Sequence, residues 1–421
     1  MKIRVNVNAQ AIVYYLLSSL IILNSTVEWK YLSSYNFPER GLKYFFVIFL
    51  IFWIIFRSIK IKLHRREVFL LIGLLAYLSF YAYLSRYNVS SFFLNFVVMI
   101  ALLFLMIVFL LRTGEYAHFL KAFENIIVVI GIVSLFFWFF GSVLDVLPDR
   151  EKVIYFWADS YKTAYTYHGM YFENIIQNQK LLGSEFPRNC GIFTETPAYS
   201  GFLIFALLIE YFTSKDKIKI GILLLTILSV QSTKGYLLVI LLFSLLFLTE
   251  QSQEKVAFNK IIKNILKVVI LISVCYLIFW ILLDKSSTSS YATRMSDMIA
   301  AIRAWSHHPI IGVGFNNNTA INLNGILEKS NNGLSMGITV LLAQGGLYLF
   351  LFYVGAFLLS LKGIKNLGIT RRNYLIIAVI LILNLFVSNS GFTIQYLFIV
   401  ATCFAIWSVR GGDSKRVGDF S

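Results

Sequence analysis

Long apolar runs, separated by short polar or basic connections, recur along nearly the whole chain. Read by hydropathy, they predict helices near residues 9–26, 42–59, 67–85, 91–111, 123–146, 197–213, 217–231, 235–249, 265–283, 335–361, 374–389 and 392–409. About 20 mainly apolar residues, rising about 1.5 Å each, cross a hydrocarbon core of about 30 Å. Two longer polar stretches interrupt the series, at 147–196 and 284–334. The pattern predicts an all-α polytopic membrane protein, one integral membrane domain over residues 1–421, with about twelve transmembrane helices and two large extracytoplasmic loops.

Composition sharpens this picture. Of the 421 residues 58% are apolar and 14% charged, against about 45–50% and about 25% in soluble domains, so no soluble fold can hide the apolar surface. Basic residues fall in alternate connections: Lys2 and Arg4, then Arg57, Lys60, Lys62, Arg65 and Arg66, then Arg112 and Lys121, then Lys215, Lys217 and Lys219. By the positive-inside rule that side is cytoplasmic and holds both termini, and the long loops face outward. The net charge of +16 is dispersed between apolar runs, which suits membrane orientation and not nucleic-acid binding. Cys190, Cys275 and Cys403 show neither a disulfide framework nor metal-ligand spacing. Lys2 and Arg4 before Ala11–Leu23 imitate a secretory leader, but no small-x-small cleavage site follows before Glu28, so the run reads as a retained first helix.

Three places carry candidate chemistry. Ile218–Val230 and Tyr236–Leu248 are short, each covering only about 20 Å as helix, so the turn Gln231–Gly235 is expected below the outer surface. A lysine pointing at lipid there costs about 2.5–3.5 kcal/mol; Lys234 therefore either faces a protein-lined cavity with a partner anion or snorkels to the interface. In Arg188–Pro197, Thr196 is placed as an N-cap and Pro197 at the first helical position. Free N–H groups at that helix start and the Arg188 guanidinium suit an anion such as phosphate. Glu195 reads either as a general base or as a complement to the helix dipole paired with Arg188. Over Tyr291–Ser306, the residues Met295, Met298, Ile299, Ile302 and Trp305 recur at helical spacing, with Arg294, Asp297 and Arg303 elsewhere on the surface. This predicts an amphipathic helix lying in the interface, on which Arg294 and Asp297 also fit a simple i,i+3 pair. His307–Phe315 follows, a turn whose Gly312 and Gly314 permit close backbone approach to a ligand. The adjacent His307 and His308 lack a carboxylate or cysteine at ligand spacing, so no metal is expected. No Walker loop, dinucleotide fingerprint, nucleophile elbow or zinc-protease motif is present.

In order, the Arg188–Pro197 stretch, the Ser232-Thr233-Lys234-Gly235 turn, the segment from Arg294 through Trp305 to Gly314, and Asn331-Asn332-Gly333 ahead of Gln344-Gly345-Gly346 resemble the O-antigen polymerase and ligase superfamily of bacterial membrane glycosyltransferases. Wzy-type polysaccharide polymerases are the nearer match. The resemblance implies transfer of a growing glycan from undecaprenyl pyrophosphate to a sugar hydroxyl of an incoming lipid-linked repeat unit, without cofactor, metal or nucleic acid. It implies a place in the bacterial inner membrane, with a chain-length regulator and a flippase as partners. It gives Arg188, Lys234, Arg294, Arg303 and Asn332 substrate-binding roles and Glu195 or His308 the proton-accepting role.

The chain also departs from the family. Ligases carry a His-Asn pair where Asn331-Asn332 stands, which favours polymerase over ligase; Lys234 replaces a common arginine and loses its bidentate fork. An Arg-x10-Gly pattern of some polymerases runs from Arg303 to Gly314, but its counterpart in the first loop is missing. Ligation to another acceptor is the alternative within the enzyme class, and a flippase or transporter the alternative outside it. Carriers place polar residues near the midplane of several helices, whereas polar weight here lies in the two loops.

Overall fold

A single segment of chain satisfies all of its own backbone N–H and C=O groups only as a helix, and the apolar runs fold that way. The computed structural model describes residues 9–32, 39–148, 150–157, 160–174, 179–181, 184–250, 265–269, 271–273, 276, 280, 283, 289–325, 334, 337–364, 368–387 and 391–409. Its helices are α1 (Ala9–Leu23), α2 (Glu39–Lys60), α3 (Arg65–Ser85), α4 (Val89–Thr113), α5 (Tyr116–Val143), α6 (Thr196–Phe212), α7 (Lys217–Val230) and α8 (Thr233–Thr249). They continue as α9 (Ser289–His307), α10 (Asn318–Asn322), α11 (Gly337–Gly363), α12 (Arg371–Val387) and α13 (Ile394–Ser408). Of the segment expected at 265–283, the described positions are helical and the others lie outside the described residues.

Five of the described helices, α2 (over Gly41–Lys60), α3, α4, α5 and α11, are long and apolar enough to cross a membrane; α1, α6, α8 and α13 are apolar but shorter. Large side chains such as Phe52, Phe56 and Ile59 of α2 and Phe69 and Ile72 of α3 stand exposed. Such a contiguous apolar exterior suits a hydrocarbon solvent.

The centre of the bundle is α13, which is buried on nearly every side and lies between α4 and α11, as expected of a helix apolar all round. Aromatic contacts tie it to α5 and α11: the rings of Phe398 and Phe119 of α5 lie 5.6 Å apart, and those of Phe404 and Phe352 of α11 lie 5.2 Å apart.

Between α5 and α6 the chain forms two small antiparallel sheets, β1 (Glu151–Trp157), β2 (Ser160–Tyr167) and β3 (Tyr171–Asn174) in one, and β4 (Gln179–Leu181) and β5 (Ser184–Phe186) in the other. The helical reading treated this stretch as plain loop. Its strands are rich in Tyr, Phe and Thr, which favour a half-buried pleated surface, and Val153 and Tyr155 alternate inward against Ala164 and Phe172.

The helix expected over Tyr291–Ser306 is present as α9, but the buried face is not the Met–Ile–Trp stripe. Ala300, Ala301 and Ala304 pack with Val340 and Ala343 of α11, while Ile302 is exposed. Small residues allow two helices to approach closely, so this face wins over the larger one. Asp297, expected on the surface, is buried at 1% exposure.

The turn after α9 docks into α11. Gly346 sits in the left-handed region at φ 59° and breaks that helix. There Val313 donates its N–H to the Ala343 carbonyl (2.8 Å), Gly314 to Gln344 (3.1 Å), and Leu347 donates back to Pro309 (2.9 Å). A Cβ on Gly312 would lie 2.5 Å from the Ala343 oxygen, and one on Gly346 2.2 Å from the Ile310 oxygen. The glycines of this turn thus permit close approach to another helix backbone, where the sequence suggested a ligand.

Candidate active site

Residues 187–194 are pinned before α6 begins. Asn189 donates its backbone N–H to the Ser229 carbonyl (3.1 Å) and its amide to the Ser229 and Ser134 hydroxyls (2.8 and 3.1 Å). Trp138 donates to the Pro187 carbonyl at 2.8 Å, and Val27 pairs with Phe193 as an antiparallel bridge. The loop therefore leaves Arg188 and Glu195 in fixed places.

Glu195, and not Thr196, is the N-cap of α6; its backbone is extended and its side chain makes no capping hydrogen bond. The helix begins one residue earlier than expected because Thr196 already has helical geometry, and Pro197 still lies in the first turn, where its missing N–H is harmless. The Glu195 carboxylate is thereby kept from the backbone N–H groups that a cap would engage.

Gln231 closes α7 in a left-handed conformation (φ 50°), and α8 starts at Thr233. This tight reversal sets Lys234 in the first turn of α8, where it is only 4% exposed. Its Nζ donates to the Pro197 carbonyl oxygen at 3.0 Å. Gly201 makes room: a Cβ there would lie 3.3 Å from that nitrogen and 3.5 Å from the Asn384 amide oxygen of α12.

Arg188 meets the same turn, Nη2 donating to the Gln231 carbonyl oxygen at 2.9 Å. Arg294 of α9 completes the group. Burial and the nearby Arg294 charge hold the Arg188 guanidinium below its ordinary range, opposed by Cys190, Tyr236 and Glu195. Burial likewise lowers Arg294, with Glu195 opposing, and both Arg294 and Glu195 lie in electrostatic reach of Lys234. Arg188, Lys234 and Arg294 thus each lie within electrostatic reach of the Glu195 carboxylate. A group of buried positive side chains of this kind suits a negatively charged ligand.

Polar atoms around the group lack hydrogen-bond partners among the described residues: both amide atoms of Gln231, which is 1% exposed, and the Thr196 hydroxyl. Buried polar groups are nearly always paired, so such orphans beside a cationic cluster suit a site that a ligand fills. Glu28 of the turn Glu28–Lys30 is a further buried carboxyl, 2% exposed with Oε1 unpartnered among the described residues. Burial pushes it up to about 8, Lys162 opposing and Glu195 adding to the shift.

Arg188, Lys234, Arg294 and Glu195 are therefore brought together from three separate segments, the loop ahead of α6, the start of α8, and α9. Arg303 and His308 are not. Both are exposed near the far end of α9; nine residues of helix separate Arg303 from Arg294, about 14 Å of rise. Arg303 reaches the Asn324 carbonyl at 3.5 Å, and the His308 carbonyl closes the turn to Gly312. Asn332 lies outside the described residues. Sequence reasoning singled out neither Gln231, Asn384 nor Glu28. For Asn384 a signal existed, since an amide within the apolar run Ile380–Phe386 is costly in a membrane helix unless it has work to do.

Known protein families, curated proteins and solved structures yield no match to this chain.

Proposed function

We propose that this chain is a polysaccharide polymerase of the Wzy type in a bacterial inner membrane, which passes a growing glycan from undecaprenyl pyrophosphate to an incoming lipid-linked repeat unit. The observation that carries the reading is the gathering of Arg188, Lys234 and Arg294 around Glu195. A pyrophosphate leaving group needs fixed cations at its oxygens, and a sugar hydroxyl needs a base within reach of its proton.

In this reading the acceptor hydroxyl oxygen attacks the anomeric carbon of the donor, and Glu195 takes the hydroxyl proton. The bond from that carbon to the phosphate oxygen breaks, and its electron pair leaves on undecaprenyl pyrophosphate. Arg188, Lys234 and Arg294 hold the departing charge, each charge-assisted bond contributing about 1.5–3 kcal/mol. Asn332 contributes a substrate contact from the second loop. A chain-length regulator and a flippase are the partners of such an enzyme.

The topology of the proposal has about twelve spans and cytoplasmic termini. One feature favours that orientation: basic side chains of the short connections meet at one end of the bundle. Arg112 donates to the Lys62 carbonyl at 2.7 Å and pairs with Glu67, Arg57 pairs with Glu115, and Lys121 with Glu210. The α7–α8 turn lies at the other end of its helices, and at 14 and 17 residues these cover only about 21 and 26 Å, which keeps Lys234 below the outer surface.

The test uses the single repeat unit that accumulates on lipid when the gene is deleted from its host. Purified protein mixed with that lipid-linked unit is expected to lengthen it without nucleotide sugar. A folded protein that leaves the unit single overturns the reading.

A further inference from the structure

An apolar cavity of about 390 Å3 lies between α5, α6, α11, α12 and α13. Lys234 bonds to Pro197 at the start of α6, whereas the cavity lies toward the other end of that helix, lined by Phe205 and Phe212. Tyr116 of its wall opens α5, and Tyr374 lies in the first turn of α12. Gly368 is exposed at one end of the lining, while Phe205, Leu381 and Phe398 at the other are buried. The space is therefore a blind pocket with its mouth at the connections between helices. Along α13 it runs from Ile406 to Phe398, about 12 Å of rise.

The chemistry of the wall decides what fits. Its hydroxyl groups are engaged within the protein: Tyr116 donates to Thr402 at 3.3 Å, Tyr374 bonds with Ser360, and Thr213 donates to the Ile209 carbonyl at 2.6 Å. The Cys403 thiol lies 3.9 Å from the Tyr374 hydroxyl, and the rest of the lining is almost wholly aliphatic or aromatic. A buried water needs about two to four polar partners, which such a wall does not supply. Left empty, the space forfeits the dispersion contacts of every side chain around it. At about 30 Å3 for each water-sized group, 390 Å3 holds on the order of a dozen heavy atoms. A tube of that depth and volume matches one hydrocarbon chain, and the apolar exterior of the bundle brings such chains alongside.

Charge at the mouth narrows what carries the chain. The stretches 213–217 and 368–372 there hold Lys215, Lys217, Arg371 and Arg372, all exposed, and one carboxylate, Asp216. Asp216 caps α7 by accepting from the Ile218 and Lys219 N–H groups. Arg372 donates from Nη1 to the Thr249 carbonyl at 3.1 Å, a bond that leaves its charge in place. Excess positive charge beside a pocket between membrane helices suits an anionic headgroup.

We propose that this cavity binds one acyl chain of an anionic phospholipid, with the phosphate held at its mouth. The chain fills the space between α6 and α12, the helices that also bring Gly201 and Asn384 beside Lys234. The proposal does not depend on the polymerase reading, because none of the residues given a role in glycan transfer lines the cavity.

The probe is phosphatidylglycerol with a photoactivatable diazirine at the tip of one chain, built into lipid discs around the purified protein. Cross-linked residues are mapped by mass spectrometry. Labels are expected at the closed end of the pocket, on Phe205 and Phe398, and about fivefold fewer with phosphatidylcholine of the same chain. Ala378→Phe fills the pocket from α12 and Ala117→Leu narrows it from α5. In a variant that melts as the wild type does, labelling of Phe205 and Phe398 is expected to fall at least about tenfold, while that of the exposed Phe52 and Phe69 is unchanged. Lys215→Gln/Arg371→Gln is expected to remove the preference for phosphatidylglycerol. Wild-type labels confined to exposed side chains such as Phe52 and Phe69, equal labelling by the two lipids, or labels at Phe205 and Phe398 that persist in a folded filled variant overturn the proposal.

Discussion

Arg188 donates from Nη2 to the backbone carbonyl of Gln231 at 2.9 Å, so a side chain from the loop ahead of α6 is tied to the turn that carries Lys234. The bond uses one nitrogen of the guanidinium, whose charge lies within electrostatic reach of Arg294 and Glu195. Arg188→Ala is expected to lower chain elongation by at least about a hundredfold, since it removes a cation and the tie together. Arg188→Lys keeps the charge but not the fork and is expected to fall between. Elongation of the lipid-linked unit, measured beside the melting temperature, checks both; full activity in a folded Arg188→Ala removes the residue from the site.

Gly201 separates placement of the Lys234 ammonium from stability. A Cβ there meets Nζ at 3.3 Å, a contact that moves the nitrogen by a few tenths of an ångström. Within a helix, alanine is favoured over glycine by about 0.5–1 kcal/mol. Gly201→Ala is therefore expected to melt no lower than the wild type while elongating about tenfold more slowly. Unchanged elongation shows that the position of Nζ is not critical.

For Glu195 the expected change lies in turnover. Glu195→Gln keeps the shape and removes the proton acceptor, and general-base catalysis contributes about 10²–10⁴ in rate. Turnover is expected to drop by that range with the KM for the lipid-linked unit changed less than about threefold. Loss confined to KM reassigns Glu195 to binding.

The helices were legible because a run such as Val89–Thr113 has one stable solution in an apolar solvent, whatever surrounds it. The cationic cluster was half legible. Lys234 stood out by the shortness of its hairpin and Arg188 by its place before a helix, but that both reach Glu195 depends on how Asn189 clamps its loop to Ser229 and Ser134, which no local pattern encodes. The Pro309–Gly314 turn failed for the opposite reason. Its glycines signalled a close approach correctly, yet sequence says nothing of what approaches, and the partner is the broken backbone of α11. The sheet of β1 to β3 escaped because a search for apolar runs passes over Tyr- and Thr-rich alternation.

That docked turn gives a prediction about stability alone. Gly346 has φ 59°, and a Cβ on it would lie 2.2 Å from the Ile310 carbonyl oxygen. Strain of this kind costs about 1–3 kcal/mol before any clash is counted. Gly346→Ala is expected to lower the melting temperature by several degrees or to prevent folding, whereas Gly73→Ala, with nothing within 4 Å, leaves it unchanged or slightly raised. Equal melting in the two variants contradicts the docking of the turn into α11.

Glu28 makes stability depend on pH in a direction opposite to a salt-bridged carboxylate. Burial, aided by the Glu195 charge, lifts its carboxyl from 4.5 to about 8 in the folded protein. The folded state then holds a proton that the unfolded chain has already released. Stability from this group is greatest below pH 4.5, declines as pH rises toward 8, and is lost above it. Each unit of difference is worth about 1.4 kcal/mol, so the group accounts for a few kcal/mol over that window. Glu28→Gln keeps the neutral shape without the proton equilibrium. The melting temperature of the wild type is expected to fall between pH 5 and pH 8 more steeply than that of the variant, and the two curves to converge at the acid end. Parallel curves across the whole range show that Glu28 is ionised alike in both states, and that the carboxyl is not buried beside Glu195.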